Sequence, residues 1–104
     1  MDSTKLEAML SAGKDSALLR YGLGQAYVQE GKPQAALAHL ARAVAIDAGY
    51  SAAWKLYGKT LAETDHTEEA RQAYQAGIEA AERKGDIQAA KEMRVFLRRL
   101  EKAL

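Results

Sequence analysis

Cysteine is absent from the 104 residues, which excludes a disulfide framework, a zinc ribbon and a thiol nucleophile. Proline occurs once, at Pro33, so little in the chain interrupts a helix. Val, Ile and Phe are scarce beside Ala and Leu, a balance that favours helix over sheet. Neither sign of charge dominates: 15 basic against 14 acidic residues leave +1, which points globally to neither nucleic acid nor an acidic partner. No apolar run approaches the roughly 18 residues of a membrane span. The opening M-D-S-T-K carries no basic region followed by an apolar stretch, so the expectation is a cytoplasmic protein without membrane contact. What is present is a 48% apolar share, enough for one domain that buries roughly two-thirds of its unfolded surface.

Taken in order, Ser3 to Ala12 has Leu6, Met9 and Leu10 at helical spacing, with Ser3 or Thr4 as N-cap and Gly13 as stop. Asp15 or Ser16 caps a second helix to about Gln29, whose face carries Leu19, Leu23, Ala26 and Tyr27. Gly22 and Gly24 each cost that helix about 1 kcal/mol against alanine. Close approach of a neighbouring helix is the usual compensation. Gly31 suits a left-handed turn and Pro33 the first position of a third helix, which presents Ala36, Leu37, Leu40, Ala43 and Val44 up to Ile46. After the turn 47–50, with Ser51 as cap, a fourth helix runs to about Glu63. A fifth runs from Thr67 to about Lys84 and carries Glu68 and Glu69 where they suit the dipole. Gly85 and Asp86 then read as stop and N-cap before a last helix, Ile87 to about Ala103, with Ala90, Met93, Phe96, Leu97, Leu100 and Leu104 apolar.

One stretch repeats. Trp54, Tyr57, Gly58 and Leu61, then Ala70 and Tyr74, return 34 residues earlier as Arg20, Leu23, Gly24 and Tyr27, then Ala36 and Leu40. A period of about 34 marks a helix-turn-helix solenoid. These residues resemble the tetratricopeptide repeat (TPR), whose signature is W-x2-L-G-x2-Y, A-x3-F and P. Alanine at position 48 departs from the proline usual there. The resemblance implies repeats at 17–50 and 51–84, flanked by capping helices at 1–13 and 85–104. The expected fold is all-α, a short right-handed TPR-like solenoid of about six antiparallel helices. Trp54, Tyr57, Leu23, Tyr27, Leu40 and Tyr74 are expected to be largely buried.

Catalytic chemistry finds no support. Gly22-x-Gly24 follows no strand and lacks the third glycine of a dinucleotide loop. His39 reads as lying on the polar side of its helix and His66 in a turn, neither with a second nitrogen ligand nearby. None of the four serines lies in G-x-S-x-G. The expectation is no enzyme, no metal and no cofactor. From Lys84 onward six basic residues face three acidic ones, so a basic helix binding nucleic acid is a disfavoured alternative. A solvated face, with favourable dipole interactions, is the default reading of the excess.

The resemblance also implies a concave groove lined by the first helix of each repeat. By position it takes Leu18, Tyr21, Gln25, Val28 and Gln29 from the first and Ala52, Lys55, Lys59, Ala62 and Glu63 from the second. Lys55 and Lys59 are one turn apart and project together. Beside Tyr21 and Gln25 they suit an acidic or C-terminal peptide, although two lysines also simply keep a helix soluble. The chaperone-binding carboxylate clamp of some TPR domains is disfavoured: Tyr21 stands where its first lysine would be, and Gln25 and Leu56 replace asparagines. The expected function is a non-catalytic protein-interaction adaptor, with a homodimeric structural protein as the alternative.

Overall fold

The computed structural model describes residues 2–103, so Leu104 lies outside the described residues. Six α-helices follow one another among the described residues: α1 Ser3–Ser11, α2 Ala17–Gln29, α3 Pro33–Ile46, α4 Ser51–Glu63, α5 Thr67–Lys84 and α6 Ile87–Ala103. Among the described residues there is no strand. No helix among the described residues is long and apolar enough to cross a membrane. The helices stack as a TPR-like solenoid, α2 against α3, α3 against α4, α4 against α5 and α5 against α6.

Local chemistry accounts for most boundaries. Ser16 caps α2 by accepting from the Leu19 amide at 3.0 Å, and Asp86 caps α6 by accepting from the Ala89 amide at 3.2 Å. Gly85 ends α5 in the left-handed conformation. In the turn before α5 the left-handed place that Gly31 holds before α3 falls to Asp65, at φ 64°. Two caps differ from expectation. Asp2, not Ser3 or Thr4, caps α1, because its carboxylate reaches the Lys5 amide, while the Ser3 hydroxyl and amide both donate to the Glu30 carboxylate at 2.8 and 2.9 Å. Ser51 is the first helical residue of α4 rather than its cap; Tyr50 holds the cap position without a side-chain bond, and the buried Ser51 hydroxyl has no partner.

Small residues set the helix spacing. A Cβ on Gly24 would lie 2.4 Å from Leu40 Cδ2, and one on Gly58 would lie 2.6 Å from the Tyr74 ring. These two glycines therefore let α2 approach α3 and α4 approach α5 closely, with Leu40 and Tyr74 filling the space a side chain would take. Leu23, Leu40 and Met93 are fully enclosed. Thr60 is buried as well and satisfies its hydroxyl on the Leu56 carbonyl at 2.7 Å.

Leu23, Leu40 and Tyr74 are buried as expected, but Trp54, Tyr57 and Tyr27 are only partly so. The stack measures 41 × 29 × 18 Å, about two helix diameters in its thinnest direction, so large rings reach the surface. Each keeps an exposed or polar edge. The Trp54 indole N–H donates to the Ala48 carbonyl at 2.8 Å, the Tyr27 hydroxyl donates to Glu7 at 2.8 Å, and Tyr57 lies with Trp54 in a cleft beside Gln72.

Candidate functional site

A groove of about 360 Å³ opens between α2, α4 and α6. Helical periodicity places its lining. Tyr21, Gln25, Val28 and Gln29 fall on one face of α2, Ala52, Lys55, Leu56 and Lys59 on one face of α4, and Glu92 and Phe96 one turn apart on α6. Val28, Leu56 and Phe96 supply apolar surface. The polar groups are already ordered: Gln25 Nε2 donates to the Tyr21 hydroxyl at 3.2 Å, and the Tyr21 ring leans on Tyr50 with centroids 5.0 Å apart. Lys55 Nζ lies 3.3 Å from Glu92 Oε2, both about one-third exposed. Lys59, one turn further along α4, is exposed.

Of the residues expected to line a groove, Tyr21, Gln25, Val28, Gln29, Ala52, Lys55 and Lys59 surround this one space. Ala62 and Glu63 stand outside its lining: Ala62 packs on the Leu61, Ala70 and Ala73 cluster, and Glu63 is solvent-exposed. Leu18 lines a neighbouring hollow with Leu6, Gly22 and Ala26. Sequence reasoning missed Glu92 and Phe96, the wall contributed by α6. The only signal for them was their spacing of four on a strongly amphipathic helix, which shows a shared face but not what that face meets.

A second polar cluster joins α1, α2 and α3. Arg20 grips Asp15 through Nε at 2.8 Å and NH2 at 3.0 Å, and its NH1 donates to His39 Nδ1 at 3.2 Å. The opposite ring nitrogen of His39 faces Glu7 at 3.9 Å, and the Tyr27 ring stacks on the imidazole at 5.7 Å. His39 is therefore not on an open polar face, as its sequence position suggested. Its ring is packed against Tyr27, because α1 and α2 cover that side of α3. Burial holds its pKa below the ordinary histidine value; Glu7 opposes this and Arg20 adds to it. Asp15 is held low by the Arg20 hydrogen bond, and the Tyr27 phenol is raised by its bond to Glu7 and then by burial. These contacts tie α1, α2 and α3 together.

Two basic residues of the tail have partners on other elements. Arg94 pairs with Glu82, and Lys84 donates to the Gly49 carbonyl at 3.0 Å. The nearby Glu101 forms an ion pair with Arg71 at 3.7 Å.

Residues 27–93 match the model of the tetratricopeptide repeat family. A TPR repeat-containing protein of Pseudomonas aeruginosa is 49% identical over 98 residues, 94% of this chain and 93% of that protein. The solution structure of a Bordetella parapertussis protein superposes with a TM-score of 0.82 at 46% identity, covering 97% of this chain and 88% of that one. The crystal structure of YrrB, described as a TPR protein with an unusual peptide-binding site, gives a TM-score of 0.71 at 27% identity, covering 88% of this chain and 54% of that one. With the 34-residue period, the glycine-mediated helix contacts and these likenesses together, the chain belongs to the tetratricopeptide repeat family.

Proposed function

We propose that the protein is a non-catalytic interaction module, dividing into two repeats at 17–50 and 51–84 between capping helices. Its groove between α2, α4 and α6 receives an acidic or C-terminal segment of a partner protein. The observation that carries this reading is the exposed Lys59, one turn from Lys55, in a groove that also offers the apolar side chains of Val28, Leu56 and Phe96. A carboxylate held by lysine beside a hydrophobic contact is the combination that an acidic peptide end supplies. The peptide-binding site described for YrrB supports the class of ligand, though not its sequence. The chaperone clamp is not proposed, since Tyr21, Gln25 and Leu56 stand where its lysine and asparagines would be.

Lys59→Glu tests this with least disturbance, because among the described residues Lys59 makes no ion pair. Charge reversal at Lys55 would also set two carboxylates face to face across the Lys55–Glu92 contact. By calorimetry, an acetylated leucine-alanine peptide ending in glutamate with a free carboxylate should bind wild type about tenfold more tightly than Lys59→Glu, ~1.4 kcal/mol. Equal affinities at unchanged helicity would remove Lys59 from the site.

A further inference from the structure

The two groove lysines are not equivalent. Lys55 already holds a carboxylate, Glu92 of α6, at 3.3 Å, whereas Lys59 presents its ammonium to solvent without an ion pair among the described residues. Glu92 reaches Lys55 from 37 residues further along the chain, and on α6 it shares a face with Phe96, which lines the same groove. The Lys55–Glu92 pair is thus part of the groove wall, at 35% and 38% side-chain exposure, and water can reach both partners. A pair so exposed is weakly held and exchangeable.

We propose that Glu92 is an internal competitor for Lys55, so that the groove takes the second of two adjacent negative groups only by displacing Glu92 and binds such ligands more weakly than two free lysines would. This rests on the reading of the groove as an acidic-peptide site. A ligand with a single carboxylate takes Lys59 and leaves the Lys55–Glu92 pair intact. A ligand with two, such as a terminal carboxylate beside an acidic side chain, places one on Lys59 and exchanges the other for Glu92 on Lys55. Residues four apart on a helix have Cβ atoms about 6 Å apart, a separation that the two carboxylates of a C-terminal acidic residue can match. Lys55, Lys59 and Glu92 together leave the groove one net positive charge, and displacement of Glu92 exposes the second. The pair excludes singly charged or neutral ends from Lys55 and yields only to a competitor carboxylate held nearby.

The test uses the full chain, calorimetry at about 0.15 M salt, and two acetylated leucine-alanine peptides ending in glutamate. One has a free C-terminal carboxylate and is dianionic; the other is amidated and monoanionic. Glu92→Gln should bind the dianionic peptide about tenfold more tightly than wild type and the monoanionic peptide within about twofold of it. Glu79→Gln removes the same charge from an exposed residue outside the groove and should change neither affinity by more than about twofold. Glu92→Asp, which keeps the charge but withdraws it by one methylene, should fall between wild type and Glu92→Gln, and it guards against a Glu92→Gln effect that comes from loosening α6. Unchanged or weaker dianionic binding by Glu92→Gln, or an equal gain with Glu79→Gln, would overturn the competitor role while leaving the groove as the binding site. Failure of wild type and Glu92→Gln to bind either peptide would overturn both readings.

Discussion

Two glycines on one helix, two residues apart, should respond to alanine in opposite directions. At Gly22 a Cβ would meet Leu6 Cδ1 at 3.7 Å, an ordinary van der Waals distance. At Gly24 it would lie 2.4 Å from Leu40 Cδ2 and 2.6 Å from Leu40 Cγ, and Leu40 is fully buried with nowhere to retreat. Alanine gains about 1 kcal/mol over glycine in a helix interior at either site. At Gly22 nothing opposes that gain, so Gly22→Ala should stabilise by up to about 1 kcal/mol and raise the melting temperature by about 4–8 °C. At Gly24 overpacking costs about 3 kcal/mol, the upper end for a methyl forced into a filled core, leaving a net loss of about 2 kcal/mol. The two variants should therefore differ by about 3 kcal/mol in urea unfolding, with unchanged slopes if both remain two-state. Equal midpoints for the two would refute the assignment of Gly24, and not Gly22, as the point of helix contact.

Further outcomes follow from the titrating groups and the groove. His39, with its pKa lowered mainly by burial, favours the neutral form in the fold. Its contribution to stability is therefore complete above the unfolded value of about 6.5 and is lost as pH falls through the lower folded value. Melting temperatures taken from about pH 8 to about pH 5 should decline over that window, and His39→Gln should flatten the decline; an unaltered slope would contradict the packing of the ring between Tyr27, Glu7 and Arg20. The Tyr74 phenol is pushed up to about 12 by burial, with Glu63 adding. Ultraviolet titration should therefore show a tyrosine that ionises only at about pH 12, and Tyr74→Phe should remove that late step. In the groove, Lys59→Glu should weaken acidic-peptide binding about tenfold and Glu92→Gln should strengthen dianionic binding by a similar factor.

The parts of the fold legible in the sequence are those that one residue dictates locally. Gly31, Pro33, Gly85 and Asp86 fix turns through their own backbone or side-chain chemistry, and each occupies the role expected of it. The spacing of Leu23, Gly24, Leu40, Gly58 and Tyr74 likewise marked the helix contacts, because glycine opposite a large residue is a packing statement. Competition between equivalent local partners was not legible. Asp2 outbids Ser3 for the α1 cap only because Glu30, 27 residues away, claims the Ser3 hydroxyl and amide. His39 looked solvent-facing from its own helix, yet α1 and α2 bring Glu7, Arg20 and Tyr27 around it.

The candidate site divides in the same way. A repeat period places α2 and α4 side by side, so the sequence alone makes neighbours of Tyr21, Gln25, Val28, Gln29, Lys55 and Lys59. Glu92 and Phe96 lie outside the repeat pattern. Their position depends on how α6 docks on α4 and α5, through Met93 buried against Gly77 and Leu100 packed near Tyr74. Nothing in the W-x2-L-G-x2-Y signature specifies that docking, which is why the ion pair across the groove was invisible in the chain.

The proposed occupancy of the groove between α2, α4 and α6 by an acidic peptide end is open to direct observation. A titration of the isotopically labelled protein with the dianionic peptide, followed by amide and lysine side-chain NMR shifts, tests it most directly. Saturable shifts are expected at Tyr21, Gln25, Val28, Lys55, Lys59 and Glu92, all reduced together in Lys59→Glu. Shifts confined to the outer face of α6, around Lys91, Arg98 and Lys102, would contradict it and place recognition on the basic helix instead.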